Sequence, residues 1–316
     1  MSRTVGVVVP CKDEGATIGP CLTSLRQQVP GPVRLVVVDN GSTDGSLEIA
    51  RQLADEVLEV PVGPIARLRN LGAAALGDVD ALAFVDADCE VQPGWLAAGL
   101  ERLDTVHLVG ARAQAAADAP WVARRWAAIE EARAHDDRVW SQHLMIRRAT
   151  FERIGGFDEN LPTGEDIDLS ARVARAGGRV GLEPAMVAVH HGYPPDLRAF
   201  LRRERWHTRG LGWYSRMTPK SRLLVLAATA WSAAGAASAT RATMKGEPRL
   251  LAAWAAATAG GIPALGMVSG GRRGASVQDG VLLGIWAAVR VLRLPHELGA
   301  RRRLAARGRR HGGVSR

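Results

Sequence analysis

Cysteine is scarce in this chain of 316 residues: Cys11, Cys21 and Cys89 are too few and too irregularly spaced for a disulfide framework or a zinc knuckle. They read as reduced, small, semi-buried side chains. A signal-peptide core is missing as well. Met1-Ser2-Arg3-Thr4 leads into an apolar run from Val5 to Val9 that is too short for one and has no cleavage-site pattern, so the amino-terminal part is expected in the cytoplasm. No G-x-G-x-x-G follows that run and no G-x-x-x-x-G-K-[ST] occurs, which excludes the dinucleotide fingerprint and the P-loop. Any phosphate has to be handled by other means. An even spread of basic residues is also lacking. The net charge of +9 and pI near 10.5 come largely from two arginine clusters that flank apolar stretches, a pattern that argues against nucleic acid as the partner.

With 47% hydrophobic and 23% charged residues, the chain has enough apolar material for a large core and a second region. The first arginine cluster includes Arg202, Arg203, Arg205, Arg209 and Arg216, interleaved with Phe200, Trp206, Trp213 and Tyr214; the second includes Arg301, Arg302, Arg303, Arg307, Arg309 and Arg310. Between them, residues 223–240 and 250–271 carry no charge and have lengths in or near the bilayer-spanning range. The basic flanks fit a hairpin with both ends cytoplasmic, although the Ala- and Gly-rich composition also suits a buried soluble hairpin. Residues 281–294, broken by Arg290 and Arg293, have an amphipathic pattern suited to lying in the membrane interface. The division that follows is a catalytic domain over 1–195, a basic and aromatic interfacial segment over 196–222, a hydrophobic helical region over 223–294 and a basic tail over 295–316.

The first two hundred residues alternate two periods. Apolar runs at 5–9, 35–38, 57–60 and 81–85 read as strands; segments 16–27, 47–53, 67–75 and 95–103 carry apolar residues at helical spacing. This alternation predicts an α/β fold with a doubly wound, mostly parallel sheet. In such sheets ligands gather at the carboxyl ends of strands. There the run ending at Val85 releases Asp86-Ala87-Asp88, two hard carboxylates suited to Mg²⁺ or Mn²⁺ and to nucleotide phosphate, or else a plain solvated turn. Asp39 occupies the equivalent place after the second strand and is a candidate ligand contact, whereas Asp44 and Ser46 fit the cap of the next helix. Farther along, Gly155-Gly156-Phe157 forms a glycine hinge. Glu165, Asp166 and Asp168 then open a helix, with one acid more than capping needs. His190 and His191 end a short strand; neighbours on an extended chain point opposite ways, so at most one of them binds a metal.

Taken in order, Val8-Val9-Pro10 with Asp13-Glu14, Val38-Asp39-Asn40-Gly41-Ser42-Thr43-Asp44, Arg69-Asn70-Leu71-Gly72, Asp86-Ala87-Asp88, Gly155-Gly156-Phe157-Asp158-Glu159 and Gly164-Glu165-Asp166 resemble the inverting glycosyltransferases of family 2, which have the GT-A fold. The resemblance implies that Pro10, Glu14 and Asp39 contact the base and ribose of a nucleotide-diphosphate sugar and that Arg69 lies near the nucleotide. It implies that Asp86 and Asp88 form the Asp-x-Asp metal motif, with Asp88 the more direct ligand and His190 or His191 completing the shell. Asp166 matches the general base that would deprotonate an acceptor hydroxyl, while the cation neutralises the departing diphosphate. Asp13 stands where asparagine is more usual. Arg205-Trp206 falls where processive members carry Gln-x-x-Arg-Trp, but Arg202 replaces the glutamine, so a non-processive enzyme is expected, with a lipid-linked or cell-envelope acceptor contacted by a variable loop over 111–138. The alternatives are a nucleotidyltransferase, disfavoured because Pro10-Cys11-Lys12-Asp13-Glu14 replaces a basic Gly-rich loop, and a non-catalytic membrane scaffold of the same fold.

Overall fold

The computed structural model describes residues 3–29, 33–132, 138–208 and 278–293, with scattered helical residues between 222 and 249. The chain divides into two compact units, Met1–Tyr193 and Pro194–Arg316.

In the first unit the elements run β1 (Val5–Cys11), α1 (Ile18–Arg26), β2 (Arg34–Asp39), α2 (Ser46–Leu53), β3 (Glu56–Glu59), α3 (Ile65–Ala75), β4 (Ala81–Val85), β5 (Cys89–Val91) and α4 (Trp95–Arg102). They continue with β6 (Leu108–Gly110), β7 (Gln114–Ala115), α5 (Trp121–Ala132), β8 (His143–Arg147), α6 (Arg148–Arg153), α7 (Glu165–Arg175), β9 (Val180–Leu182) and β10 (Ala188–His190). Seven strands form one sheet in the order β3-β2-β1-β4-β8-β6-β9. Its pairs are parallel except those of β8, which runs antiparallel to both β4 and β6. The mostly parallel expectation therefore holds with one reversed strand. A second sheet, β5-β10-β7, brings β10 antiparallel to β5 and parallel to β7.

The continuous apolar strands follow from cover on both faces. Val7 and Val9 of β1 join Leu22 and Leu25 of α1 and Trp95 of α4 in one core, whereas Val8 joins Leu68 of α3 and Leu169 of α7 in the other. Close approach is built in at Gly72, where a Cβ would collide with Val8 and stand 3.0 Å from Val38. Because β2 lies on one side of β1 and β4 on the other, the strand order reverses around β1. That reversal opens the crevice in which the candidate site sits.

Two sequence expectations change. Residues 111–138, expected to be a variable loop, contain β7 and the 12-residue helix α5. Their alanine-rich composition hid the helix, whose buried stripe is Val122, Ala123, Trp126 and Ala127. The strand β8 went unread because the alanine-rich α5 before it gave no β-α rhythm and its antiparallel pairing with β4 leaves no local mark.

The second unit contains α8 (Leu197–His207) and a helical segment over 278–293. Phe200 and Glu204 are buried on α8, so of the aromatics assigned to a lipid interface Phe200 faces protein, while Trp206 is 43% exposed. Glu204 accepts a hydrogen bond from Arg290 at 2.8 Å, and Leu282, Leu283, Trp286 and Val289 of the 278–293 segment are covered by protein. Among the described residues no helix is long and apolar enough to cross a membrane. The stretch 250–271 and the tail 295–316 lie outside the described residues, and 223–240 is described only at scattered helical positions.

Candidate active site

At the carboxyl ends of β1 and β2, two loops are joined by side chains that accept backbone N–H groups. Ser42 Oγ accepts from Asp13 at 2.9 Å, Ser46 Oγ from Glu14 at 2.7 Å and an Asp44 carboxylate oxygen from Gly15 at 2.8 Å. Asp44 also accepts from the N–H of Ser46 at the start of α2, whose N-cap is Gly45 rather than the expected Asp44 or Ser46 and has no side-chain cap. Asp13 Oδ1 returns the link by accepting from the N–H of Thr43 at 2.8 Å. Asp13 itself has φ 53°, a left-handed conformation that Asn and Asp tolerate best among residues with a Cβ. The exchange of asparagine for aspartate at this place therefore leaves the loop intact. Asp39 spends one oxygen on the N–H groups of Gly41 and Ser42, both at 3.0 Å, while its Oδ1 is buried without a partner. Glu14 accepts from Thr17 Oγ1 at 2.9 Å; burial and then the nearby Asp88 push its carboxyl above the ordinary range. Pro10 is level with Val38 in the β1–β2 register, one residue before Asp39.

Asp86 and Asp88 leave β4 on separate duties. Asp86 accepts from Arg69 at 2.7 Å, and the same guanidinium donates to Glu165 at 2.6 Å. Arg69 is 1% exposed and lies 5.5 Å from the centre of the Phe157 ring. Sequence resemblance put Arg69 beside the nucleotide; in the fold its fork braces the Asp-x-Asp turn against the first residue of α7. Phe157 is held in place by Asn70, whose carbonyl accepts the Phe157 N–H and whose amide donates to the Phe157 carbonyl, both at 2.9 Å. The two glycines of the hinge, at φ 78° and 69°, make the turn that brings Phe157 there.

Asp88 faces the other way, with Oδ2 3.1 Å from His190 Nε2 and Oδ1 buried without a partner. Gly192 completes the cradle: a Cβ there would fall on the Asp88 carboxylate. Burial pushes the Asp86 carboxyl up. Burial acts in the same sense on Asp88, but the His190 imidazole outweighs it and holds Asp88 below the usual carboxylate range. Asp88, Cys89 and His190 place one ligand atom each within 4.8 Å of one another. A carboxylate with a free buried lone pair beside an imidazole, in a gap kept open by a missing side chain, fits a divalent cation. His191 points to Glu90, 3.4 Å away on the opposite side of β10, so the alternation of an extended strand assigns His190 to the Asp88 group and His191 elsewhere.

At α7 the three acids separate by partner. Glu165 is bound to Arg69 and Asp168 to Arg172 at 2.7 Å, one helical turn on. Asp166 accepts only backbone N–H groups, from Ser141 at 3.2 Å and from Ile167 at 2.7 Å. Burial, then the adjacent Glu165 charge, pushes its carboxyl up to about 6. A carboxyl near that value can take a proton at neutral pH and release it again. The helix's N-cap is Gly164 at φ 76°, with no side-chain cap, so none of these acids serves as one.

Several residues of the site had no sequence signal of their own. Gln142, whose amide is 3.4 Å from His190 Nδ1, and Ser141 come from the unread strand region before β8. Tyr193 packs edge-on to His190 at 4.6 Å between ring centres. Cys89 stood beside the acid pair in the sequence, but only the pairing of β5 with β10 turns its sulfur toward His190.

Comparison with known proteins fits this geometry. Residues 6–153 match the family model described as glycosyl transferase family 2, and residues 134–266 match glycosyl transferase family group 2. The chain belongs to glycosyltransferase family 2. A pre-mycofactocin glycosyltransferase of Mycobacterium tuberculosis is 30% identical over 224 residues, covering 65% of this chain and 46% of the relative, so this family 2 chain spans about half the length of that protein. Glycosyltransferase AglE of Haloferax volcanii is 28% identical over 207 residues, covering 60% and 67%. In fold, the family 2 chain resembles a mannosyltransferase of Pyrobaculum calidifontis solved with GDP-Man and Mn²⁺, with a TM-score of 0.59 at 21% identity over 92% of this chain and 88% of that one. The α/β architecture is thus that of the GT-A glycosyltransferases.

Proposed function

We propose that this chain transfers a sugar from a nucleotide-diphosphate donor to an acceptor hydroxyl with inversion at the anomeric carbon, and that it acts once per acceptor rather than processively. The observation that carries this reading is the Arg69 fork, which fixes the Asp-x-Asp turn and the start of α7 in one frame and leaves Asp88 and Asp166 as its two carboxylates that no guanidinium holds. Pro10, Glu14 and Asp39 at the β1 and β2 ends bind the base and ribose, the unpartnered Asp39 Oδ1 being the free acceptor for a ribose hydroxyl. Asp88 and His190, with Asp86 behind them, would hold a divalent cation, Mg²⁺ or Mn²⁺. When bound, that ion supplies positive charge beside the donor's diphosphate. Asp166 takes the acceptor's proton on its carboxylate and aims the alkoxide-like oxygen at the sugar from the face opposite the leaving group. Ser141 N–H and Ile167 N–H keep that carboxylate oriented through the transfer.

The chain acts at the cytoplasmic face of the cell membrane on a lipid-linked or cell-envelope acceptor, with 223–240 and 250–271 crossing the bilayer. Charge-free stretches of that length flanked by arginine clusters support this. The relatives' names support the transferase chemistry, and the Mn²⁺ and GDP-Man of the Pyrobaculum calidifontis structure support a cation and a nucleotide sugar here.

Release of nucleoside diphosphate from a panel of nucleotide sugars, with and without Mn²⁺, tests the reading. Metal-dependent release by the full chain that drops at least a hundredfold in Asp88→Ala is expected. No release, formation of nucleoside triphosphate and sugar phosphate on addition of pyrophosphate instead, or full activity in Asp88→Ala would overturn it.

A further inference from the structure

A cavity of about 360 Å³ opens in the first unit between β7, α5 and the turn after β9, lined in part by Arg112, Gln114, Arg124, Ala128, Glu131 and Leu182. None of these residues serves in the cation cradle or at Asp166, yet the cavity wall is tied to both. Ala115 in its wall is the register partner of His190 across the β7–β10 pair, one strand spacing away. Tyr193, packed against His190, donates its hydroxyl to the carbonyl of Ala113, another wall residue, at 3.0 Å. On the opposite side the Arg112 guanidinium lies over the Trp140 ring, and the next residue, Ser141, donates its N–H to Asp166. The chamber's wall is therefore linked through Ala113 and Ala115 to the His190 side of the site, and through Arg112 and Trp140 to the segment that binds Asp166.

Its size and charge limit what it holds. Alanines at 111, 113, 115–117, 127 and 128 line it, so its breadth comes from missing side chains, and the volume sits at the small end of ligand sites, enough for one sugar-sized unit. On α5, Arg124, Ala127, Ala128 and Glu131 lie at i, i+3, i+4 and i+7 on one face, which puts opposite charges roughly 10 Å apart at its two ends. Arg124 donates to the Ala119 carbonyl at 2.7 Å, and among the described residues no carboxylate pairs with it. Arg112, 3.8 Å from Glu130, adds a second guanidinium to the same wall. Planar guanidinium forks are matched to phosphate oxygens.

We propose that this cavity is the acceptor site and that it selects acceptors bearing a phosphate next to the hydroxyl-bearing unit, with Arg124 as the phosphate contact. The inference rests on the transferase reading. The phosphate has two sources of the same chemistry, a soluble sugar phosphate or a lipid-borne phosphate ester. Calorimetric titration of the full chain in detergent with glucose 1-phosphate and with glucose, then with glucosyl phosphodecaprenol in mixed micelles, tests it without any turnover. Binding of one phosphate probe and none of glucose is expected, and the probe that binds identifies the source. Arg124→Gln should weaken that probe at least tenfold, Arg124→Lys should recover part of the loss, and Glu131→Gln should tighten it a few fold by removing a like charge from the cavity. Equal affinity for glucose and both phosphate probes, no binding of either phosphate, an unchanged affinity in Arg124→Gln, or displacement of the bound probe by a nucleoside diphosphate would overturn the assignment. Loss of the transferase reading would show separately, as the absence of nucleoside diphosphate release from every donor.

Discussion

At the scale of single residues, charge and burial divide the acids of the site into fixed and free. Asp166 is the one raised to about 6, and the sign of its effect on activity is set by the base role proposed for it. The transfer rate should rise with pH through about 6 and level off above 7 as the carboxyl ionises, read from kcat against pH, and Asp166→Asn should remove that rise along with roughly 10²–10⁴-fold of the rate. Its effect on stability has the opposite sense. Between the ordinary aspartate value near 4 and about 6, the folded chain keeps a proton that the unfolded chain has lost, so this site subtracts stability as pH climbs through that window. Arg69 has the reverse role, compensating buried charge rather than titrating. Arg69→Met leaves the Asp86 and Glu165 carboxylates facing each other without their cation and should cost about 3–5 kcal/mol, read from the shift of a denaturant midpoint. Arg69→Lys keeps the charge but loses the fork and should recover only part of that loss. Arg69 was picked out in the sequence as a motif residue, but one chain cannot show that a guanidinium 17 residues before one carboxylate and 96 before another binds both.

Between elements, the spacing of backbones makes the site. β10 brings His190 to Asp88 and leads two residues on to Gly192, where the Asp88 carboxylate fills the place of a Cβ. Gly192→Ala should weaken Mn²⁺ binding about 10–100-fold, measured by electron spin resonance of the free ion, with the melting temperature far less affected than in Arg69→Met. Gly72 is the structural counterpart. There the methyl group of an alanine meets Val8 across the α3–β1 contact, and Gly72→Ala should cost about 1–3 kcal/mol in thermal or denaturant unfolding while leaving Mn²⁺ affinity near wild type in the folded protein. The first four strands and helices were legible because each buries a face with its own period. The segments β7, α5 and β8 were not, because an alanine-rich helix has weak contrast and an antiparallel insertion carries no local mark of its partner.

For the whole molecule, the two units raise different questions. The first, Met1–Tyr193, contains the candidate nucleotide loops, cation cradle and base, and is covered from residue 6 to its end by the two family 2 matches taken together. In the second, the buried Glu204 is compensated by Arg290 and by Arg203, which together hold its carboxyl below the ordinary range against the pull of burial. If residues 223–240 and 250–271 cross the bilayer, the full chain should stay with membranes through a high-salt wash and leave only with detergent. Recovery in the salt wash would mean that only the arginine clusters hold it, since surface charge is screened at high ionic strength.

The sequence by itself determined the α/β alternation, the strand-end carboxylates and the ordered family 2 motifs, because each is written in a short window whose period or spacing carries its own physics. Tertiary structure alone decided which histidine joins Asp88, which of the three α7 acids stays uncommitted, and that Arg69 braces the site. Those outcomes depend on which segments distant in the chain become neighbours, and a pairing such as His190 with Cys89 and Ala115 leaves no trace in the local pattern of either strand.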